Sequence, residues 1–286
     1  MAKGRELVGR IKTTENTRKI TRTLEMVATS KMKRAVDRVI AARPYAKALT
    51  DVISTLYSPE NAGDFPLLRQ PESEKRAAII LLTANRGLAG AFNSNLIKEA
   101  RQLVARLEQA GTQVELHVMG KKGIGYFKYV GRAVAVQRTD ISDRPTADDA
   151  ASLVDGPMKA FAAGELDAVY VVHCTYKSAV STPAITAKIL PVAKPAAGGP
   201  SKDYLLYPSA AEILTTLLPA YVRNAVYRAL VETFACFYST QRTAMKNATD
   251  NAGEMITVLR RTYNRARQAT ITQEIAEIVG GAAALD

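Results

Sequence analysis

The sequence predicts an α/β protein in which long N- and C-terminal helices pair as an antiparallel coiled coil, with an α/β domain inserted between them. Apolar residues recur at alternating spacings of four and three near both ends of the 286-residue chain, and the middle of the chain changes to alternating strand and helix patterns. The predicted segments are residues 1–57 for the first helix, 58–75 for a linker, 76–203 for the α/β domain and 204–286 for the last helix.

The C-terminal helix is predicted to run from about Ser209 to Gly280, and Ser209 with Glu212 has the spacing of a capping box at its start. Because Gln273 in its pairing seam is polar, we expect the pairing to weaken near this residue. Pro219 is expected to kink the helix or to divide off its first turns. The predicted seam positions are Ala248, Ala252, Met255, Leu259, Thr262, Ala266, Ala269, Gln273 and Ala276.

The N-terminal helix is predicted to span about Gly4 to Leu56, because no glycine or proline occurs between Gly9 and Pro44. Its apolar positions keep the same alternation without a polar interruption, which makes it the expected partner helix. A strict period of 3.5 residues predicts a left-handed supercoil, with only a local bend at Pro44. The positions are Met32, Ala35, Val39, Ala42, Ala46, Leu49, Ile53 and Leu56.

A second apolar stripe lies beside the seam near the end of the C-terminal helix. It consists of Ile271, Ile275 and Ile278. At about 1.5 Å per residue the C-terminal helix spans about 108 Å, well beyond the first helix of about 75 Å. If its end extends past the partner helix, this stripe has no cover within the chain, and an exposed apolar tip needs a receptor.

The chain is basic, with 39 Lys and Arg residues against 27 Asp and Glu and a formal net charge of +12. Such a balance suits either a solvated surface or a surface that meets carboxylates or phosphates on a partner. Nucleic acid is poorly supported as that partner, because Trp is absent and no Tyr or Phe is interleaved with the basic residues from Lys19 to Arg38. The run consists of Arg18, Lys19, Arg22, Lys31, Lys33, Arg34, Arg38, Arg43 and Lys47.

The central segment predicts alternating strands and helices. Two buried strands, beginning near Arg76 and Val114, flank an amphipathic helix that Asn93 or Asn95 is expected to cap. A further helix begins near Thr146, and the two apolar runs after it are close enough to form a hairpin. This alternation indicates an α/β sandwich between the two long helices.

Two glycine-containing segments invite comparison with phosphate-binding loops. Residues 85–93 (NRGLAGAFN) lie where a strand gives way to a helix, and residues 120–125 (GKKGIG) follow the second strand. The first does not match G-x-G-x-x-G, and the second lacks the G-K-[ST] ending. Tight turns are therefore favoured over a phosphate site.

No catalytic or metal-binding pattern is recognisable. His117 and His173, the only histidines, each lie within a strand pattern and are expected to be packed. Cys174 and Cys236 are too far apart in sequence for a metal or redox motif and are expected to be reduced packing residues. No metal or other cofactor is predicted, and the chain is not expected to be an enzyme by itself. A nucleic-acid-binding adaptor and a nucleotide-dependent enzyme are the alternatives.

The sequence also shows no recognisable targeting or membrane-spanning signal. The first ten residues become charged too early for a signal peptide. The longest apolar run, Ala77 to Leu82, is far shorter than the roughly 20 residues of a membrane span. Any membrane association is expected to be through a partner.

Two terminal stretches resemble the signatures of the γ subunit of F-type ATP synthases: KITRTLEMVATSKMKRA, Lys19 to Ala35, and ATDNAGEMITVLRRTYNRARQATITQEIAEIVGGAAA, Ala248 to Ala284. The resemblance covers the whole chain. It implies a non-catalytic central rotor shaft, with the coiled coil inside a hexamer of alternating α and β subunits and a Rossmann-like domain at the foot that touches ε and the membrane ring of c subunits. It also implies a peripheral location on the cytoplasmic face of the bacterial inner (plasma) membrane.

The resemblance further implies which residues meet the other subunits. Tyr204 and Leu206 would face the ring of c subunits. The apolar stripe of Ile271, Ile275 and Ile278 would sit in the bearing that surrounds the tip. Contacts with β or with the bearing would be made by Lys19, Arg22, Leu24, Lys31, Arg242, Arg267, Gln268, Thr272 and Glu274.

Overall fold

The computed structural model describes residues 2–56, 65–193 and 209–283 of the chain. They form two compact units. The first contains Met1–Ala28 and Gln241–Asp286, and the second contains Thr29–Thr240. Helix α1, Ala2–Leu56, and helix α5, Ala210–Ala283, contribute residues to both units. The two long terminal helices predicted from the sequence are therefore confirmed.

In the first unit, α1 and α5 pack side by side along a narrow seam. Their pairing is antiparallel: the Thr21 and Thr249 Oγ1 atoms are 2.8 Å apart, whereas the earlier Glu15 forms an ion pair with the later Arg260 at 2.6 Å. Most side chains on either side of the seam remain exposed. The buried residues are Thr21, Ala28, Met245, Thr249, Ala252 and Ile256.

The seam on α5 lies on a different face from the predicted one. Three positions belong to both the predicted and the observed seam and are at least half-buried: Ala252, Leu259 and Ala266. The seam positions between them are displaced by one residue. Ile256 is 6% exposed, whereas the predicted Met255 is 56% exposed. One residue turns an α-helix by about 100°, so the prediction was wrong for half of its positions. Both sets obey the same spacing, and alanine occurs in both, so spacing did not discriminate between them.

The apolar positions predicted on α1 are buried, but they lie in the second unit, whereas the predicted seam of α5, Ala248 to Ala276, lies in the first. The two predicted seams are therefore not partners of each other. Ala35, Val39, Ala46, Leu49, Ile53 and Leu56 are buried in the second unit, and Met32 and Ala42 are half-buried. Helix α1 continues through Pro44, as expected. The predicted division of the C-terminal helix is wrong, because α5 also continues through Pro219. Leu218 and Val222, both buried beside the proline, anchor the helix to the core where proline removes a backbone hydrogen bond.

The second unit is built around a five-stranded sheet in the order β3-β2-β1-β4-β5. All neighbouring strands are parallel except β4 and β5, which form the predicted antiparallel hairpin. The parallel strands are connected by helices, as in a Rossmann-like domain. The strands are β1 Arg76–Leu82, β2 Gln113–Met119, β3 Val136–Arg138, β4 Ala168–Cys174 and β5 Ala184–Leu190, and the helices are α2 Phe92–Gln109, α3 Lys121–Tyr129 and α4 Ala147–Ala162.

Both faces of the central strand β1 are buried. Its even-numbered residues from Ala78 to Leu82 face a core formed with α4 and the first part of α5. Its odd-numbered residues from Ala77 to Leu81 face a second core formed with α2 and a later part of α5. A strand covered on both faces shows a continuous apolar run rather than an alternation, which explains why β1 was recognisable in the sequence.

Helix α3 and strand β3 were not predicted. Gly123 and Gly125 lie inside α3, and each lowers helix propensity by about 1 kcal/mol relative to alanine, so the segment looked like a turn. Strand β3 has only three residues, too few to show a period. The predicted linker also differs: a 3₁₀ helix, Pro66–Leu68, packs Leu67 and Leu68 into the core. Residues 57–64 lie outside the described residues.

The helix starts were only partly predicted. Ser209 Oγ accepts a hydrogen bond from the Glu212 amide at 3.2 Å, which confirms the predicted cap of α5. Helix α2 begins without a side-chain cap. Asn93 instead accepts a hydrogen bond from the Ala84 amide at 3.0 Å and donates one to the Arg86 carbonyl at 3.3 Å. The expected capping role of Asn93 or Asn95 is therefore wrong, since Asn93 stabilises the preceding loop.

The revised seam predicts opposite outcomes for two adjacent substitutions. Ile256→Ala should lower the free energy of unfolding by about 2–3 kcal/mol, because it removes a buried side chain from a two-helix interface. Met255→Ala, the matched control, should change it by less than about 0.5 kcal/mol, because its side chain is exposed. Denaturation of the purified chain followed by circular dichroism measures both values, and a larger loss for Met255→Ala would contradict the assigned seam.

Candidate functional site

The last described turns of α5 form an exposed segment, residues 271–280, here called the tip. The Thr21–Thr249 pair fixes which residues of the two helices lie side by side. Because both helices rise by the same distance per residue, Ala2, where α1 begins, would lie opposite a residue near position 268. Every residue of the tip is exposed. Its apolar side chains are Ile271 (46%), Ile275 (57%), Ile278 (72%) and Val279 (62%). The sequence correctly predicted a stripe without cover from α1.

The predicted contact residues on α1 fall into two groups. Lys19 and Arg22 are exposed on the first unit, and Leu24 is half-buried beside the seam. Lys31 differs, because its ammonium group forms an ion pair with Asp143 of the same chain at 2.7 Å. Lys19 and Arg22 form no ion pair within the described residues, so both are available to a partner.

The predicted contact residues on α5 are mostly exposed. Arg267, Gln268, Thr272 and Glu274 all project from the first unit or its tip. Arg242 is half-buried, and its Nε atom is buried without a hydrogen-bond acceptor among the described residues. Tyr204 and Leu206 lie outside the described residues.

Two charge pairs along the first unit are exposed and local, whereas the Glu15–Arg260 pair joins the two helices. Glu6 pairs with Arg10 at 3.0 Å and Lys246 with Asp250 at 2.8 Å, both one helical turn apart. Exposed pairs of this kind stabilise a helix by only about 0.3–0.5 kcal/mol. The remaining cations give this surface a positive potential that suits acidic groups on a partner.

Asp143 is a functional candidate that the sequence did not predict. It lies in the loop between β3 and α4, within the second unit. Its carboxylate accepts hydrogen bonds from the Lys31 ammonium group (2.7 Å) and the Tyr238 hydroxyl, and its backbone carbonyl accepts one from the Arg38 guanidinium (3.2 Å). The Lys31 nitrogen also lies 5.3 Å from the centroid of the Tyr238 ring. One loop residue therefore bonds to both α1 and α5.

The charge states of this cluster reinforce one another. Burial by itself would raise the pKa of Asp143, but hydrogen bonds from Lys31 and Tyr238 outweigh that effect and hold the pKa below its usual value. Burial, followed by the hydrogen bond to Asp143, raises the pKa of Tyr238. At neutral pH Asp143 is thus an ionised acceptor and Tyr238 a protonated donor. Asp143 is 112 positions from Lys31 and 95 from Tyr238, so no local pattern could have revealed it.

A cavity of about 250 Å³ lies beside Asp143, where β1 and β2 end. In open α/β sheets the crevice at the carboxyl ends of the strands is the usual place for a ligand. Here α5 occupies much of that crevice with Phe234, Phe237 and Tyr238, which line the cavity. The Phe237 ring also packs edge-on against Phe92 of α2, with centroids 5.5 Å apart.

A phosphate at the start of α3 would need free backbone amides. These amides are instead bonded to other groups of the protein. Residues 121–125 belong to helix α3 rather than to the predicted tight turn. Three amides of its first turn donate to groups in the loop after β1, and this occupation argues against a phosphate site there. The pairs are Lys121 N with Asn85 Oδ1 (3.0 Å), Lys122 N with the Ala84 carbonyl (3.2 Å) and Gly123 N with Thr83 Oγ1 (3.0 Å).

The two histidines are used within the fold. His117 is buried, with Nε2 2.7 Å from Glu115 Oε1. His173 is also buried, with Nδ1 3.2 Å from the Cys174 carbonyl oxygen, and burial lowers its pKa. Both side chains are buried and bonded to neighbouring groups, which matches the predicted packing role.

The two cysteines, distant in sequence, belong to the same core cluster. Cys174 and Cys236 are both buried free thiols. Hydrogen bonding with Cys174 and burial raise the pKa of Cys236, and a thiol with a raised pKa is a poor nucleophile. Within the described residues, no cluster of three His, Cys, Asp or Glu side chains could hold a metal ion. No helix of the described residues is long and apolar enough to cross a membrane.

Comparison with known proteins identifies the family. The family model described as ATP synthase matches residues 3–285. The ATP synthase gamma chain of Gemmatimonas aurantiaca is 67% identical over 288 residues, with 100% of this chain and 99% of the relative covered. The chain belongs to the ATP synthase gamma chain family. A second gamma chain, from Frankia casuarinae, is 41% identical and covers 98% of this chain and 97% of its own.

The gamma chain fold is also shared with solved structures of low sequence identity. A chain of the Euglena gracilis mitochondrial ATP synthase, in an assembly of OSCP, F1 and c-ring, has a TM-score of 0.69 at 18% identity and covers 99% of this chain and 95% of its own. A chain of the Tetrahymena thermophila mitochondrial ATP synthase central stalk and c-ring has a TM-score of 0.62 at 19% identity, covering 80% and 99%. At these identities the match shows a common fold.

The closed start of α3 in this gamma chain predicts a strong effect of Gly120→Ala. Gly120 has a φ of +98°, and an added Cβ would lie 2.2 Å from the Thr83 carbonyl oxygen. We expect a loss of more than about 3 kcal/mol in the free energy of unfolding, or failure to fold.

Gly125→Ala is the matched control, because Gly125 lies inside α3 with no atom within 4 Å of an added Cβ. It should be neutral or stabilise the chain by up to about 1 kcal/mol. Urea denaturation measures both variants. Equal stability of the two would contradict the tight contact between Gly120 and Thr83.

Proposed function

We propose that this chain is the non-catalytic central rotor shaft of an F-type ATP synthase. In this role it couples ion-driven rotation of a membrane ring of c subunits to conformational changes in the catalytic β subunits, for ATP synthesis or hydrolysis. The observation that carries the proposal is the 74-residue helix α5, whose tip continues past its partner helix with its apolar side chains exposed. An exposed apolar stripe of this kind is typical of a surface that contacts another protein.

The absence of an active site within the chain is part of the proposal. The groups that could bind a phosphate or act as a general base are already bonded within the fold. The amides at the start of α3 donate to the loop after β1, and both histidines bond to neighbouring groups. The cavity beside Asp143 is lined by side chains of α5, which must stay in place for the domain to remain attached.

The first unit suits the role of a shaft. A shaft needs weak contacts with the surrounding subunits that can form again at each angle. Exposed cations such as Lys19, Arg22 and Arg267 would attract acidic loops of β as the shaft turns. Each exposed charge pair contributes about 1 kcal/mol or less. Steric displacement of β by the asymmetric helix pair should therefore supply the larger part of the coupling, with Leu24 and Arg242 at the surface of contact.

The tip is the part proposed to turn in the bearing formed by the α and β subunits. Ile271, Ile275 and Ile278 would lie against an apolar collar, and apolar contact is non-directional, so it permits rotation. The neighbouring polar residues Gln268, Thr272 and Glu274 would face the rim of that collar.

The remaining partners are proposed for the foot, residues 76–203 with the segment that follows. Tyr204 and Leu206 would contact the ring of c subunits, and the α/β domain would contact ε. The chain would then be peripheral to the cytoplasmic face of the bacterial plasma membrane, held there by its partners.

Co-purification from membranes tests the assignment. An affinity tag on this chain should recover a complex that hydrolyses ATP and contains α and β subunits. Recovery of the chain without ATPase-active partners, or with nucleic acid in a salt-sensitive complex, would contradict the proposal.

Charge reversal measures the electrostatic share of the coupling. The double variant Lys19→Glu with Arg22→Glu should lower the torque of ATP-driven rotation without abolishing it, because each charge pair is weak and steric displacement remains. Single-molecule rotation of the assembled complex gives the torque directly.

Arg101→Glu, an exposed change on α2 of the α/β domain, is the matched control for a reversed charge. Its torque should equal that of the unchanged chain. If the Lys19 and Arg22 variant also kept full torque, the electrostatic part of the mechanism would be eliminated and steric displacement alone would remain.

A further inference from the structure

We infer that Asp143 is a positioning residue that fixes the rotational register of the α/β domain on the two shaft helices, so that torque passes between them without slip. The inference rests on the proposed function as a rotor. It assigns Lys31 an internal role, as the partner of Asp143, in place of a contact with β.

Apolar packing sets the approximate register of the domain on the helices. The sheet and α5 are joined by two large, close-packed cores, but the free energy of apolar burial itself has no preferred direction. Hydrogen bonds weaken steeply when their geometry changes. Directional contacts between the domain and the helices therefore decide how far one can turn against the other.

Among the described residues, Asp143 is the residue of the α/β domain whose side chain bonds to both helices. Asp155 of α4 forms two hydrogen bonds with Arg223 of α5, at 2.8 and 2.9 Å, but that pair involves α5 alone. The Asp143 carboxylate holds Lys31 of α1 and Tyr238 of α5 on the same oxygen atom. A rotation of either helix against the loop would break a bond to this residue.

The loop that carries Asp143 is itself held on both sides. Before it, Arg138 of β3 forms two hydrogen bonds with Asp140, at 2.8 and 2.7 Å, and Ile141 is buried in the core. After it, Thr146 and Asp149 form a reciprocal capping box at the start of α4. Force applied to the sheet can therefore reach Asp143 through fixed backbone rather than through a mobile loop.

The test uses the complete complex, with the head immobilised in one nucleotide state and a rotation probe attached to the α/β domain. The measured quantity is the width of the angular distribution of the probe. Asp143→Ala should broaden this distribution, because the domain then has fewer directional contacts with the helices. Merely stabilising residues should not change the width once the complex has assembled.

Glu108→Gln is the matched control. Glu108 pairs with Arg132 at 2.7 Å, a bond inside the α/β domain that touches neither long helix, so its removal should leave the angular width unchanged. The exchanged pair Lys31→Asp with Asp143→Lys restores an ion pair of reversed polarity and should narrow the distribution again relative to Asp143→Ala.

If Asp143→Ala fails to assemble, Tyr238→Phe decides the question. It removes the hydroxyl that donates to Asp143 and accepts from Lys31 at 3.4 Å, leaves the Lys31–Asp143 pair in place, and should broaden the distribution to a lesser degree. An angular width equal to that of the unchanged chain, in whichever of these variants assembles, would overturn the role of Asp143 while leaving the rotor assignment intact. Absence of rotation with the unchanged chain would overturn both.

Discussion

A pair of α-helices can bury only one stripe on each partner, and this limit governs the first unit. Its seam contains small and polar residues such as Ala28, Ala252 and Thr249, while Met255 and the isoleucines of the tip remain exposed. Little apolar area is available to hold the helices together, so their continuity with the second unit, where both enter large cores, must contribute to their stability. The same limit leaves most of the described side chains of the first unit exposed.

The second unit follows the opposite rule, because its central strand is covered on both faces. Helix α5 enters both cores, so the sheet could not keep its native packing without the helix. This arrangement makes the α/β domain an attachment built around α5, rather than a separate module tethered by a linker. Polar contacts such as those of Asp143 and Asp155 then add directional bonds to the orientation that this packing sets.

The sequence predicted those features whose signal is long or repeated: the two terminal helices, the buried apolar positions of α1, the buried run of β1 and the uncovered stripe at the tip. It failed where the signal was short or ambiguous. Two faces of α5 obey the same spacing, so Ile256 and Met255 could not be distinguished without the partner helix. The glycines of α3 concealed a helix that Thr83 and Asn85 stabilise from another part of the chain. Asp143 has no local pattern at all.

The hydrogen bond between Thr21 and Thr249 has a mechanical consequence for the helix pair. Alanines in a seam fit nearly as well after one helix slides by a heptad, so they resist axial shear poorly. The two buried hydroxyls meet at only one offset, and losing their bond costs about 0.5–1.5 kcal/mol. The bond between Thr21 and Thr249 therefore favours one axial offset of the two helices over offsets shifted along the seam.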